Sequence, residues 1–203
     1  MKQRIKICGI TRPEDAILSA NLGAWALGFI LWPGSKRNTN LHTVRKIKKS
    51  LTNRVPEKLV AVTVNASQEE LQEIIASGLF TSVQFHGDED PSQLQGFPLE
   101  TIKAFRIGDS HDLLQIQHYN SNYSLLDAKV PGSYGGTGKQ IDWRLVAESS
   151  ATKNLILSGG INPANIQDAI SIVTPFAVDL SSGVESSPGI KSEAKLKALF
   201  QNL

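Results

Sequence analysis

The chain has 203 residues, of which 40% are hydrophobic and 20% are charged, and its formal net charge is +2. This length suits one domain with a large core, and so small a net charge does not indicate a nucleic acid or a membrane as partner. The only cysteine is Cys8, which excludes an intrachain disulfide and fits a reducing compartment. Because the first residues lack the apolar segment of a signal peptide, we expect a cytoplasmic protein.

Strands and helices are predicted to alternate through the first half of the chain. Apolar runs predict strands at residues 5–8, 26–31, 58–64, 82–85 and 101–105. Thr11 and Glu14 form the Thr-x-x-Glu pattern of a capping box, which predicts a first helix that ends near Gly23. Further helices are predicted at 41–51, 68–77, 91–95 and 112–118.

The second half repeats the same alternation. Strands are predicted at 123–126, 155–157 and 177–180, and helices at 143–149, 164–172 and 191–201. The longest irregular stretch, residues 128–139, separates the sixth strand from its helix, and long loops in compact domains are usually functional. Eight strand–helix units without a linker predict one α/β domain over 1–203, a closed (β/α)8 TIM barrel, with an open doubly wound sheet as the alternative.

Two glycine-containing junctions follow the last two predicted strands. Gly159 and Gly160 follow the seventh strand, and Ser181, Ser182 and Gly183 follow the eighth. In barrels, loops at these positions commonly bind phosphate through backbone N–H groups and helix N-termini. We therefore predict a phosphate site there; the alternative is that the glycines only make tight turns.

Polar side chains are predicted at the C-terminal ends of most strands, where barrel enzymes have their active sites. They are Cys8, Arg37, Asn65, His86, Arg106, Asp127 and Asp179. Asp127 and Cys8 on two sides of the mouth would protonate one atom and deprotonate another, which is general acid–base catalysis without a cofactor. The alternatives are a buried structural thiol at Cys8 and a capping or salt-bridged carboxylate at Asp127.

Arg37 is a candidate for a second anion, because its planar guanidinium binds a carboxylate through two parallel hydrogen bonds. His86 is a candidate substrate contact of secondary rank, or a hydrogen-bonded core histidine. No metal site is predicted, since the four histidines fall on different elements without ligand spacing.

Seven ordered motifs resemble those of the phosphoribosylanthranilate isomerases, the (β/α)8-barrel enzymes of tryptophan biosynthesis. They are Lys6-Ile7-Cys8-Gly9-Ile10-Thr11, Gly28-Phe29 with Ser35-Lys36-Arg37, Val64-Asn65, Gln84-Phe85-His86-Gly87-Asp88-Glu89, Leu126-Asp127 with Gly135-Gly136-Thr137-Gly138, Leu157-Ser158-Gly159-Gly160-Ile161-Asn162, and Val178-Asp179-Leu180-Ser181-Ser182-Gly183-Val184-Glu185. The resemblance covers essentially the whole chain.

This resemblance implies an Amadori rearrangement of N-(5-phosphoribosyl)anthranilate to 1-(2-carboxyphenylamino)-1-deoxyribulose 5-phosphate. It implies that Asp127 is the general acid, that Cys8 is the base and that Arg37 binds the anthranilate carboxylate. The junctions at Gly159-Gly160 and Ser181-Ser182-Gly183 would bind the phosphate. Further substrate contacts are expected at His86, Asp179 and Gly136. The only implied partner is this small phosphoribosyl substrate, and members of the family are monomers or homodimers.

Some positions depart from the family pattern and leave alternatives open. Trp32 stands where Phe or Tyr is more usual, Phe85 where Leu is, and Asn38-Thr39-Asn40 follow the loop arginine. A related sugar-phosphate isomerase of histidine biosynthesis is one rival, but its family has aspartate in place of Cys8. A phosphate-binding barrel without catalysis is the other.

A free thiol has a pKa of about 8.5, so a catalytic Cys8 needs help to ionise. Lys6 lies two residues earlier and on the same face of the predicted strand. We take Lys6 as the hypothetical source of that help.

Overall fold

The computed structural model describes residues 3–52, 54–130, 132, 134, 138, 140–148 and 154–203. Eight parallel strands form a closed barrel in chain order, with the first paired to the last. They are β1 Arg4–Cys8, β2 Ala26–Ile30, β3 Lys58–Thr63, β4 Ser82–Phe85, β5 Glu100–Ile107, β6 Tyr123–Ala128, β7 Leu155–Leu157 and β8 Ala177–Leu180. The predicted barrel is confirmed, and the pairing of β1 with β8 excludes the open sheet.

Helices lie between the strands on the outside of the barrel. They are α1 Pro13–Leu22, α2 Leu41–Ser50, α3 Gln68–Ala76, α4 Ser110–Leu113, α5 Trp143–Glu148, α6 Ile166–Val173 and α7 Glu193–Gln201. Short 3-10 turns occur at Pro91–Leu94, Leu114–His118 and Ser182–Val184. No helix in the described part of the chain has the length and apolarity to cross a membrane.

Alternation along the strands divides the buried side chains between two layers. Leu126 and Leu157 point outward and pack under the helices in the larger core cluster. Leu125 and Ile156 point inward and pack with Cys8 and Val60 in the barrel interior. Because side chains two residues apart share a face, Lys6 and Asp127 also belong to the interior.

The capping box predicted at Thr11 and Glu14 is wrong. Arg12 is the N-cap residue of α1 and makes no capping hydrogen bond; its guanidinium instead binds Asp15. The Thr11 hydroxyl donates to the carbonyl of Gly189, so a distant contact takes the place of the local one. A capping box does form at α3, between Ser67 and Glu70.

Two predicted strand ends are too early. The structure extends β5 and β6 by pairing Arg106 with Asp127 and Ile107 with Ala128, so Arg106 and Asp127 lie within strands rather than after them. Hydrogen bonding between neighbouring strands decides where β5 and β6 end. A run of apolar residues within one strand does not reveal that pairing.

The segment after β8 also differs from the prediction. A single helix was predicted over 191–201, but Lys191 lies in a small antiparallel hairpin, β9 Glu185–Ser187 and β10 Ile190–Lys191. α7 begins only after Ser192, whose side chain accepts a hydrogen bond from the backbone N–H of Lys195. Side chains of the hairpin reach the C-terminal ends of the strands, where Lys191 contacts Cys8 and Glu185 contacts Arg37.

Candidate active site

A cleft of about 400 Å³ opens at the C-terminal ends of the strands. It brings together most of the predicted catalytic and carboxylate-binding residues and their neighbours. Its lining includes Cys8, Trp32, Arg37, Gln84, His86, Asp127, Tyr134, Ser158, Asp179 and Ser181. The acid and the base of the predicted pair therefore face one cleft, as expected from their positions at strand ends.

Cys8 ends β1 and is buried at the cleft wall. It lies opposite Gly28 of β2, and a Cβ atom at that glycine would be 2.8 Å from the Cys8 Sγ. Burial raises the pKa of the Cys8 thiol above its ordinary value; the nearby positive charges of Lys6 and Lys191 oppose this effect, and the negative charge of Asp179 adds to it. Gly28 thus makes room for the thiol, and the charges around it set its ionisation.

Asp127 faces the cleft from β6, with β7 and β8 between it and Cys8 in the barrel. Its Oδ1 accepts a hydrogen bond of 2.8 Å from the backbone N–H of Ala128, and its Oδ2 lies 3.6 Å from Nε2 of His86. The other ring nitrogen of His86 lies 2.6 Å from Nε2 of Gln84. Gln84 therefore holds the imidazole so that its open nitrogen faces the carboxyl group.

The Arg37 side chain lies in the cleft wall and is held by Glu185 of β9. Its Nε donates to both carboxylate oxygens of Glu185, at 2.9 and 3.1 Å, and its Nη2 donates to one of them at 2.8 Å. Glu185 also accepts a 2.8 Å hydrogen bond from Nζ of Lys191. Within the described residues, Nη1 of Arg37 has no hydrogen-bond partner, so one edge of the guanidinium remains open for an anion.

Glu185 is charged because two cations surround it. Burial alone would raise the pKa of this carboxyl, but Arg37 and Lys191 hold the pKa below its ordinary value. Burial in turn lowers the pKa of Lys191, and Glu185 opposes that effect. The open Nη1 of Arg37 leaves the cluster of Arg37, Glu185 and Lys191 able to bind an anion.

The residues predicted to bind phosphate line one small recess beside the cleft. Its lining includes Gly159, Gly160, Ser181, Ser182 and Gly183. The loops after β7 and β8 touch there: a Cβ at Gly183 would lie 1.9 Å from the carbonyl oxygen of Ile161. The backbones of the two loops are therefore in contact at this point, and no side chain fits at Gly183.

The second of these loops does not lead directly into a helix, because the helix predicted over 191–201 begins only after the hairpin. Ser182–Val184 is a 3-10 turn that leads into β9, and α6 begins at Ile166, later than the predicted 164. The hydroxyl of Ser181 is buried and has no hydrogen-bond partner among the described residues. It borders both the recess and the cleft, so it is available to a ligand that spans them.

Asp179, predicted as a substrate contact, lines the cleft but already has partners in the protein. Its Oδ1 accepts a 2.8 Å hydrogen bond from Nζ of Lys6, and its Oδ2 accepts one of 3.4 Å from the hydroxyl of Ser158. Gly136 lies outside the described residues, so its predicted contact stays a prediction.

A profile of the family described as N-(5'phosphoribosyl)anthranilate (PRA) isomerase matches residues 5–202. The N-(5'-phosphoribosyl)anthranilate isomerase of Petrotoga mobilis is 43% identical over 202 residues, which cover 98% of this chain and 96% of the relative. The chain belongs to the PRA isomerase family. The predicted identity, an isomerase of tryptophan biosynthesis, is thereby confirmed.

Solved structures of PRA isomerases share the whole architecture. The phosphoribosyl anthranilate isomerase of Thermotoga maritima gives a TM-score of 0.90 at 37% identity, covering 99% of this chain and 98% of that one. A phosphoribosyl anthranilate isomerase in complex with reduced 1-(o-carboxyphenylamino)-1-deoxyribulose 5-phosphate gives 0.87 at 35% identity, covering 99% and 98%. The likeness extends over the full length of the chain.

Three residues of this PRA isomerase site had no predicted role. Gln84 and Glu185 lie within the motifs that carry the resemblance, and that was the signal for both; Gln84 also lies one residue before the predicted end of the fourth strand. Lys191 gave no signal, because a lysine in a Lys- and Ala-rich segment is typical of an exposed helix face. Only the hairpin shows that it is buried and donates a 2.6 Å hydrogen bond to the carbonyl of Cys8.

Proposed function

We propose that the chain catalyses the Amadori rearrangement of N-(5-phosphoribosyl)anthranilate, with Asp127 as general acid and Cys8 as general base. The observation that supports this assignment is that both side chains face one cleft from β6 and β1. Arg37 and the phosphate recess lie at the borders of that cleft. No cofactor is needed, because the reaction only moves protons within the substrate.

In the first step Asp127 donates its proton to the furanose ring oxygen. The C1–O bond breaks, the oxygen becomes a hydroxyl group, and the nitrogen lone pair forms the C=N bond of a protonated Schiff base. The Asp127 carboxylate that results faces Nε2 of His86 at 3.6 Å. A hydrogen bond from that nitrogen would stabilise the new negative charge.

In the second step the Cys8 thiolate removes the proton from C2 of the Schiff base. The electron pair of the C–H bond forms the C1–C2 double bond, and the C=N electrons return to nitrogen. The product is a neutral enolamine, which tautomerises to the ketone. The base must be ionised before this step, since a thiol has no strong affinity for a carbon-bound proton.

The two anionic ends of the substrate would fix it between acid and base. In the proposal, Arg37 binds the carboxylate of the anthranilate ring. The loops at Gly159-Gly160 and Ser181-Ser182-Gly183 bind the phosphate through backbone N–H groups. Such two-point binding converts two proton transfers into reactions within one complex, where proximity contributes most.

The test follows the loss of anthranilate fluorescence when the purified protein meets freshly made phosphoribosylanthranilate. Wild type, Cys8→Ala and Asp127→Ala are compared. We expect wild type to turn the substrate over, and each variant to bind it while turnover falls by about 10² to 10⁴. Wild-type turnover that survives in both variants would overturn the acid–base assignment. Binding by wild type without turnover would make the barrel a phosphate-binding protein.

The oligomeric state of this chain is the last part of the proposal. Monomers generated from a dimeric phosphoribosylanthranilate isomerase of Thermotoga maritima are among the related structures. We propose that this chain is a monomer or a homodimer in the cytoplasm, and its mass in solution, measured by light scattering, distinguishes the two forms.

A further inference from the structure

Lys6 is wholly buried in the barrel interior, an unusual place for a lysine. It lies two residues before Cys8 on the same face of β1, and β1 pairs with β8 so that Lys6 is opposite Asp179. The 2.8 Å contact between Lys6 Nζ and Asp179 Oδ1 makes a buried ion pair directly below the catalytic thiol. The mechanism proposed above does not use either group.

Three charged groups act on Cys8 from the elements packed against it: Lys6 on β1, Asp179 on β8 and Lys191 on β10. The cleft that contains the thiol also contains Arg37, His86 and Asp127. The three N–H donors of the Lys191 ammonium already have acceptors, because its Nζ donates to Glu185 and to the carbonyls of Cys8 and Ser181.

Among the described residues, Nζ of Lys6 donates one hydrogen bond to a carboxylate, that of Asp179, and its ammonium retains donors for a second anion. Burial alone would lower the pKa of Lys6, yet Asp179 and Cys8 together raise it above the ordinary lysine value. Lys6 is thus placed to bring positive charge to both Asp179 and Cys8.

We propose that Lys6 is the positioning cation that stabilises the Cys8 thiolate, and that Asp179 holds Lys6 in place while competing with the thiolate for its positive charge. This inference rests on Cys8 being the base of the proposed function. It assigns Asp179 to the control of the base rather than to substrate binding.

The number of anions beside the Lys6 ammonium changes during the reaction. When Cys8 loses its proton to solvent, the thiolate and Asp179 share the charge of Lys6. When the thiolate removes the substrate's C2 proton it becomes neutral again, and Asp179 alone pairs with Lys6. Lys6 itself neither gains nor loses a proton, so its effect is electrostatic throughout.

The experiment measures the ionisation of Cys8 in the substrate-free protein. Because the chain has one cysteine, the rate of alkylation by iodoacetamide as a function of pH reports this thiol alone. Lys6→Met removes a cation, and we expect the midpoint of the alkylation profile to rise by about one pH unit or more. Asp179→Asn removes an anion, and we expect the midpoint to fall.

The opposite signs separate the proposal from a purely structural role. If the ion pair only supports the fold, both variants disturb Cys8 in the same direction or leave it unchanged, and either result overturns the proposal. Asp179→Asn keeps the test decisive if Lys6→Met does not fold, since a midpoint that stays or rises in this variant contradicts the competition.

The matched control is Lys103→Met. Lys103 is a second buried lysine, paired with Glu89 at 2.8 Å, and it is not among the residues of the Cys8 cleft. We expect it to lose stability without moving the alkylation midpoint. A midpoint that moves as much as in Lys6→Met would show a general effect of losing a buried lysine and would overturn the proposal.

Turnover then tests the link to function. The acidic limb of the pH profile of kcat/KM is expected to move with the alkylation midpoint in both variants. If the midpoints move as predicted and the limb does not, Lys6 still controls the thiol but Cys8 is not the base. That outcome contradicts the proposed function and leaves the ionisation result standing.

Discussion

The two sides of the cleft are built from different chemistry. Around Cys8, buried and half-buried ion pairs lie close together: Lys6 with Asp179, and Glu185 with both Arg37 and Lys191. Around Asp127 the described residues offer one ionisable neighbour within ion-pair distance, His86 at 3.6 Å. The difference matches what each group has to do. A buried thiol needs positive charge to ionise, whereas a carboxyl that must donate a proton is not helped by a neighbouring ammonium.

The largest effect is expected on the crowded side, from Glu185→Ala. It leaves the buried Lys191 and the half-buried Arg37 without their shared anion, and removing one partner of a buried pair costs about 3–5 kcal/mol. We expect the free energy of unfolding in urea to fall by this amount. A loss below about 1 kcal/mol would show that the cluster is not the stabilising unit of the base side.

The cluster of Glu185, Arg37 and Lys191 also predicts how stability depends on pH. Burial opposes the charge of Glu185, but Arg37 and Lys191 lower its pKa in the folded protein. Its contribution to stability is therefore fully present above the ordinary glutamate pKa of 4.5, and it is lost as the pH falls through the lower folded value. The difference in unfolding free energy between wild type and Glu185→Gln should shrink on acidification from about pH 7 to about pH 3. A constant difference would contradict the shifted pKa.

A smaller but more local effect is expected from Gly28→Ala. The new Cβ would lie 2.8 Å from the Cys8 Sγ, so the thiol has to move. A displacement of about 1 Å at a reacting group costs about 10²-fold in rate, and we expect kcat to fall by this factor while the circular dichroism spectrum is kept. Gly96→Ala is the control for backbone strain without a contact, since no atom lies within 4 Å of a Cβ built there but its φ is +68°. We expect that variant to lose stability and to keep its kcat. Unchanged kcat in Gly28→Ala would mean that the position of the thiol is not critical.

On the sparse side, Gln84→Leu should have a milder effect. It removes the 2.6 Å contact that orients the His86 ring but leaves the ring and Asp127 in place. Loss of one oriented hydrogen bond to a charged group is worth about 1.5–3 kcal/mol, which corresponds to a fall in kcat of about 10-fold or more. KM is expected to change less than kcat. An effect on KM alone would assign His86 to substrate binding.

The smallest effect is expected at an exposed pair. Lys197 and Glu193 are four residues apart on α7, and about half or more of each side chain is exposed to solvent. Solvent screens such pairs. Lys197→Ala should therefore match wild type in urea midpoint and in turnover. A clear loss in this variant would mean that the contrast between buried and exposed pairs does not govern stability in this chain.

The barrel could be predicted because its signals are local. Buried parallel strands are short apolar runs, and the predicted bounds of β4, β7 and β8 agree with the structure. The ends of β5 and β6 could not be predicted in this way, because the pairing of Arg106 with Asp127 is a contact between strands. The hairpin was missed because Glu185–Ser187 is polar and lacks an apolar alternation.

The site was predictable as a set of residues but not as a network. Its position at the strand ends follows from the fold, so Cys8, Asp127 and Arg37 could be named in advance. Apart from Lys6, which the strand periodicity placed beside Cys8 as a hypothesis, their partners could not, because hydrogen bonds such as that from Lys191 to the Cys8 carbonyl join segments from opposite ends of the chain. No spacing rule in the sequence describes such contacts.

Those long separations also determine when each side of the cleft can form. Lys6 and Asp179 are 173 residues apart, Arg37 and Glu185 are 148 apart, and Lys191 and Cys8 are 183 apart. Gln84 and His86 are only two positions apart in the sequence. The residues of the acid side are therefore all joined to the chain before β8 is made, whereas the base side lacks Asp179, Glu185 and Lys191 at that stage. A growing chain carries Cys8 without these three neighbours until β8 and the hairpin have been added.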